Sequence, residues 1–128
     1  MIKPTKIYVS EVTNLINKNL VNGCANITGG GLKDNIQRII PRNLYADINL
    51  NNIRTLKIFK WLKNAGIKEN EMLKTFNCGV GFCLIVNKKN LNKVKKYFST
   101  KYKPYVIGKI SKNFKSYESV KLSGKIKW

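Results

Sequence analysis

No histidine occurs anywhere in the 128 residues. That excludes a Ser–His–Asp triad or a Cys–His pair within this chain, because each needs an imidazole base. Cysteine is scarce and odd in number, at Cys24, Cys78 and Cys83. Neither a disulfide framework nor zinc-type spacing can be built from that set. The acidic residues are Glu11, Asp34, Asp47, Glu69, Glu71 and Glu118. No two of them form an evident metal pair, so no metal ligand is assigned. No apolar run approaches the roughly 18 residues of a membrane span. The opening "MIKPTKIYVSEV" lacks the apolar core of a secretory signal. A soluble, cytoplasmic chain with no membrane partner is expected.

What is abundant is lysine. The formal charge is +19, carried by 22 Lys and only 3 Arg, beside 17 Asn and 15 Ile. Such a charge invites a nucleic-acid reading. Yet Lys, Asn and Ile share adenine/thymine-rich codons, and the lysines are spread along the chain. Arginine, the side chain best suited to bidentate base and phosphate contacts, is the scarce one. A solvated lysine-rich surface is the expectation, with no specific nucleic-acid partner. A stand-alone basic nucleic-acid-binding module is the alternative from a different class. Apolar residues make up 43%, enough for one compact domain over residues 1–128.

Spacing supplies the elements. Val9, Val12, Leu15, Ile16 and Leu20 recur at helical intervals, after Pro4 and Thr5, where the chain must be extended or turning. Residues 21–28 read as a short strand. "KDNIQRIIP" is a helical turn stopped by Pro41. "LYADINL" alternates Leu44, Ala46, Ile48 and Leu50 inward, as a half-buried strand does. Residues 54–65 give the clearest helix, with Leu56, Phe59, Leu62 and Ala65 in one stripe and Gly66 as its cap. "KENEMLKTF" is a second short helix. "GVGFCLIVN" is apolar on both faces and reads as a central buried strand. Leu91, Val94, Tyr97 and Phe98 mark a further amphipathic helix. "YVIGKI" and "SVKLSGKI" close the chain as strands, the last at an edge where lysines discourage further pairing. The fold class is therefore α/β (α+β), with helices packed on a mixed, mostly antiparallel sheet.

Two glycine-bearing stretches stand where strands and helices meet: "ITGGG" at 27–31 and "TFNCGVGF" at 75–82. Alone, a triple glycine is a flexible turn and a G-x-G is a bulge or close strand packing. Together, with Asn35, Arg38, Asn77 and Thr28 near them, they suit a phosphate-bearing ligand. Glycine frees backbone N–H groups and lets a ligand approach them. Thr28, Gly29, Gly30 and Gly31 are the candidate phosphate-loop contacts. Asn35 and Arg38 lie close by, and Asn77 and Gly79 line the same cleft. Cys78 is expected to be a small buried or cleft-facing residue, not a nucleophile.

The stretches "PTKIYV" (4–9), "ITGGG" (27–31), "DNIQRIIP" (34–41), "FKWLKNAG" (59–66), "NEMLKTFNCGVG" (70–81) and "IGKI" (107–110) keep one family's order and spacing. The chain resembles the C-terminal domain of the phosphoribosylformylglycinamidine cyclo-ligases, or AIR synthetases, over nearly its whole length. The resemblance implies a three-layer sandwich, partly ferredoxin-like. It also implies ATP-dependent closure of the imidazole ring, from formylglycinamidine ribonucleotide to aminoimidazole ribonucleotide, in purine biosynthesis. Another ATP-dependent enzyme of the same superfamily is the alternative, against which "TFNCGVG" argues. The family's N-terminal domain binds Mg²⁺ and the ATP phosphates and forms the homodimer. Nothing like it is present, so the chain is expected to be a fragment or one half of a split enzyme, inactive alone. Asn26 stands where the family usually has His, Gln37 where it has Pro and Lys74 where it has Arg. No proton-transfer role carries over to Asn26, and no catalytic residue is assigned.

Overall fold

The alternation in 44–50 folds as its period demands. In β2 (Leu44–Asn49), Ala46 and Ile48 are buried, while Tyr45, Asp47 and Asn49 face the other way. The computed structural model describes residues 6–99, 102–112 and 118–128; Pro4 and Thr5 lie outside them. Strand β2 is the centre of a three-stranded sheet. Strand β4 (Gly108–Lys112) runs antiparallel to it, with Ala46 opposite Ile110. Strand β5 (Val120–Ser123) runs parallel, with Ala46 opposite Val120. The sheet is mixed, and the last strand is at an edge, as the lysine pattern suggested. Two further strands, β1 (Gly23–Asn26) and β3 (Phe82–Ile85), form a separate two-stranded sheet. All four residues of β3 are half-buried. The central buried strand expected at 79–87 is thus a short member of a two-stranded ladder, because β1 is its sheet partner among the described residues.

Contacts divide the chain into two compact units. The first comprises Met1–Cys24 and Leu84–Tyr105. Its core is Leu15, Leu20 and Val94, with Val21, Leu84, Val86, Tyr97 and Phe98 packed against them. Leu15 comes from α1 (Val9–Asn17) and Val94 from α5 (Leu91–Lys95). Helix α1 ends where Asn19 takes a left-handed φ of 53°, a conformation Asn tolerates better than most residues. That turn lets the Leu20 N–H reach the Leu15 carbonyl at 3.0 Å.

The second unit comprises Ala25–Cys83 and Val106–Trp128. Helix α2 (Gly31–Gln37) packs on β5 and on α4 (Glu69–Thr75), and α3 (Lys57–Asn64) touches α4. The α2 contribution is Leu32 and Ile36, and α4 gives Met72, which is fully covered. Helix α3 starts three residues later than the spacing placed it, because the backbone is still extended at Leu56, and Gly66 follows it at φ 99°. No residue of α3 is fully buried, and Phe59 and Leu62 of the stripe are half-buried. Periodicity reports that one face is apolar, not that anything covers it.

Leu15→Ala should lower stability by about 2–5 kcal/mol, because a fully covered leucine leaves a cavity that its neighbours fill only in part. Urea unfolding of the chain, followed by tryptophan fluorescence, checks this. A change under about 0.5 kcal/mol, the range of ordinary surface substitutions, would show that the first unit has no such core.

Candidate functional site

Strand β1 ends at Asn26, and the Ile27 N–H donates to the Gly81 carbonyl at 3.0 Å. That bond sets the two glycine stretches side by side. After it the chain turns through Thr28, Gly29 and Gly30, and the Gly31 N–H closes the turn on the Thr28 carbonyl at 3.1 Å. Gly30 and Gly31 have φ of 93° and 61°, both in the region that costs a β-carbon dearly. Helix α2 starts at Gly31, two residues earlier than the sequence pattern placed it.

Asn35 holds this loop from inside. It is only 5% exposed. Its Nδ2 donates towards the carbonyls of Gly31 at 2.8 Å, Gly29 at 3.2 Å and Thr28 at 3.4 Å. Two amide hydrogens are shared among three acceptors, so the side chain is spent on the backbone. Its Oδ1 accepts from Arg38 Nη1 at 3.4 Å. Arg38 is exposed beyond it and supports the amide's orientation.

The second loop is a tight reversal. The Val80 N–H donates to the Asn77 carbonyl at 2.9 Å, and the Gly79 N–H to Asn77 Oδ1 at 3.0 Å. Cys78 and Gly79, the central residues, have φ of 49° and 101°, the pair of positive angles that marks a type I′ turn. A β-carbon on Gly79 would stand 2.7 Å from the Arg54 carbonyl, so packing fixes glycine there. The buried Cys78 thiol donates to the carbonyls of Met72 at 3.4 Å and Phe76 at 3.6 Å. Burial, and secondarily the charge of Glu69, pushes the Cys78 thiol up to about 11. Burial alone pushes Cys83 to about 12. Neither is a nucleophile at neutral pH, since the thiolate is the reactive form.

Both loops meet at the last turn of α4. A β-carbon on Gly31 would collide with the Leu73 carbonyl and stand 3.2 Å from that of Phe76, the same carbonyl that the Cys78 thiol reaches. The candidate residues thus sort by what the fold asks of them. Gly30, Gly31 and Gly79 answer to backbone conformation and packing, and Asn35 to the loop's carbonyls. Asn77 is half-buried and holds Gly79. Thr28 and Gly29 are exposed, and a β-carbon on Gly29 would meet nothing within 4 Å. Gly29 also lacks a left-handed φ.

The carboxyl of Asp34 was not singled out from the sequence. Its Oδ2 lies 3.0 Å from where a β-carbon on Gly30 would be. An acidic residue four places after a turn glycine, in the first turn of a helix, was the available signal. Among the described residues no three His, Cys, Asp or Glu side chains come together. Asp34 by the loop does not make a Mg²⁺ site, and no chemistry here is routed through one.

A family model described as "AIR synthase related protein, C-terminal domain" matches residues 2–121. The chain belongs to that family. The phosphoribosylformylglycinamidine cyclo-ligase of Ligilactobacillus salivarius is 40% identical over 114 residues, 88% of this chain and 33% of that protein. The enzyme of the same name from Prochlorococcus marinus (strain NATL1A) is 46% identical over 94 residues, 72% of this chain and 27% of that protein. The trifunctional purine biosynthetic protein adenosine-3 of Chironomus tentans is 41% identical over 111 residues, 85% of this chain and 8% of that protein. The chain spans about a third of the cyclo-ligases it matches. Its mixed α/β architecture, with five α-helices and two sheets among the described residues, is the class expected for that domain. No helix among the described residues is long and apolar enough to cross a membrane.

The geometry separates two neighbouring glycines. Gly31→Ala should cost about 3 kcal/mol or more, because a left-handed φ and a backbone clash act together. Gly29→Ala should stay within about 0.5 kcal/mol of the unaltered chain. Urea unfolding of the two variants decides it; equal losses would contradict the assignment.

The thiols give a second test. A group with pKa about 11 is about a hundredfold less ionised at pH 8 than one at the ordinary 9.0. Alkylation of Cys78 in the native chain should be slower than in urea by at least that factor. The unfolded thiols ionise first. The stability gained from keeping them neutral is therefore fully present below pH 9 and lost as pH rises towards 11–12. Native and denatured labelling rates that match would show an open loop.

Proposed function

We propose that this chain forms the C-terminal third of a phosphoribosylformylglycinamidine cyclo-ligase. In that reaction ATP phosphorylates the formyl amide oxygen of formylglycinamidine ribonucleotide and leaves as ADP. The internal amine attacks the activated carbon, the carbon–oxygen bond breaks, phosphate departs and a proton is lost as the imidazole closes. Activation is needed because an amide oxygen is a poor leaving group. Phosphoryl transfer of this kind depends mainly on positioning and charge stabilisation.

The chain's own part is binding and orientation. With no histidine it contributes no imidazole to proton transfer, and Cys78 and Cys83 are held neutral. Thr28 and Gly29 form the exposed rim at which a phosphate-bearing substrate or nucleotide approaches. Gly30, Gly31 and Asn35 hold that rim, and Arg38 supplies a cation beside it. Asn77 and Gly79 form the adjoining wall. ATP, Mg²⁺, the ribonucleotide, the homodimer and the cytoplasmic setting belong to this reading of the assembled enzyme. The observation that carries it is Gly29. It is the glycine of the triplet with open space and no backbone demand, and a ligand's approach gives a reason for it.

The test supplies the rest of the enzyme in trans, as the part of the Ligilactobacillus salivarius protein outside the matched third. The chain alone should show no ring closure with formylglycinamidine ribonucleotide, ATP and Mg²⁺, and the pair should. Gly29→Val in the active pair should weaken substrate or ATP binding by about tenfold or more, equivalent to about 1.4 kcal/mol, with unchanged unfolding of the chain. Ring closure by the chain alone, or full affinity in Gly29→Val, would overturn the proposal.

A further inference from the structure

Helix α3 carries Ile58, Trp61, Leu62 and Ala65 at i, i+3, i+4 and i+7, the spacing of one helix face. Lys60 and Lys63 stand on the opposite side, and Lys57 flanks the face one turn before Trp61. The fold half-buries Leu62 but leaves the rest of the face open: Trp61 is 63% exposed, Ile58 53% and the preceding Leu56 56%. Single exposed apolar residues are ordinary, but an amphipathic helix with its apolar face uncovered marks an interaction surface.

The charge bears on what covers it. A second copy would bring another +19, and like charge of that size opposes self-association. A helix of eight residues is about 12 Å long, too small a patch to give the roughly 800 Å² per partner of a stable interface by pairing with itself. A surface of different sequence, with carboxylates at its rim, meets the charge objection, and an apolar hollow in it can cover the preceding Leu56 as well as the helix. The relatives carry about two-thirds of their length outside the region this chain matches. The position of α3 also fits. Phe59 contacts Phe76, with ring centroids 6.1 Å apart, and Gly79 packs against the backbone of residues 54–56. A polypeptide seated on α3 therefore borders the second glycine loop.

We infer that the apolar face of α3 is the docking surface for the remaining two-thirds of the cyclo-ligase polypeptide. This rests on the function proposed above. The occupant sits on Ile58, Trp61 and Leu56 and contributes the wall of the site next to residues 77–81.

Hydrogen exchange across residues 57–64 tests it, in the chain alone and in the chain coexpressed with the part of the Ligilactobacillus salivarius enzyme outside the matched third. A chimera of that enzyme, with this chain in place of its matched residues, gives an independent arm. Exchange should slow by about tenfold or more on assembly in either arm, the scale of 1.4 kcal/mol. Trp61→Glu should abolish the slowing and leave the chain's own unfolding unchanged, because Trp61 is exposed. Unchanged exchange in both arms would overturn the inference. So would a dimer of the chain alone, in sedimentation, that Trp61→Glu dissociates. A protected α3 in an assembly without ring closure keeps the docking surface and sinks the function. Ring closure with α3 unprotected does the reverse.

Discussion

The carbonyl groups in the last turn of a helix have no partner further along it, and something must meet them. At the end of α4 the Met72 carbonyl accepts from the Phe76 N–H at 3.0 Å, and two loops from distant parts of the sequence pack against the carbonyls there. The Cys78 thiol donates to Met72 and Phe76. The backbone of Gly31 lies so close to the Leu73 and Phe76 carbonyls that no side chain fits. The 28–31 loop and the 77–81 loop are thereby held against one anchor. The Ile27–Gly81 hydrogen bond fixes their spacing from the other side. The clamp by Asn35, the I′ turn at Cys78–Gly79 and the exposed rim at Thr28 and Gly29 all depend on that anchor.

This arrangement gives the glycines different duties. Gly31 and Gly79 answer both to packing and to a left-handed φ, and Gly30 to a left-handed φ beside the Asp34 side chain. Gly29 has neither demand. A loop whose neighbours are so constrained can present one open residue in a reproducible position, which is what ligand binding by backbone groups requires. The lysine surface is a separate matter. The ion pair of Lys33 with Glu118, at 3.2 Å, joins two exposed side chains, and such pairs contribute little to stability.

Much of this could be read from the sequence where one local rule decided the outcome. The alternation of Ala46 and Ile48 placed β2. The helical spacing of Val12 and Leu15 placed α1. Glycines beside strand ends located both loops. The rest depended on tertiary contacts that spacing cannot show. Leu56, Phe59, Leu62 and Ala65 form a stripe by spacing alone, but only Phe59 and Leu62 of it are half-buried, and spacing could not show that Ile58 and Trp61 beside them stay exposed. The apolar run at 79–87 is strand-like in any sheet, and nothing local gives its number of partners. Asn35 read as a ligand contact because amides near glycine loops often are. Its inward rotamer, with three carbonyls around it, follows from the turn geometry alone.

The shared anchor implies coupling between residues 47 positions apart in sequence. A double-mutant cycle on Gly31→Ala and Cys78→Ala, read by urea unfolding of the chain, measures it most directly. Both substitutions act on the same Phe76 carbonyl. An interaction energy of about 0.5–3 kcal/mol is therefore expected. Losses that add to within about 0.3 kcal/mol would mean that the two loops are held independently, and would contradict the account.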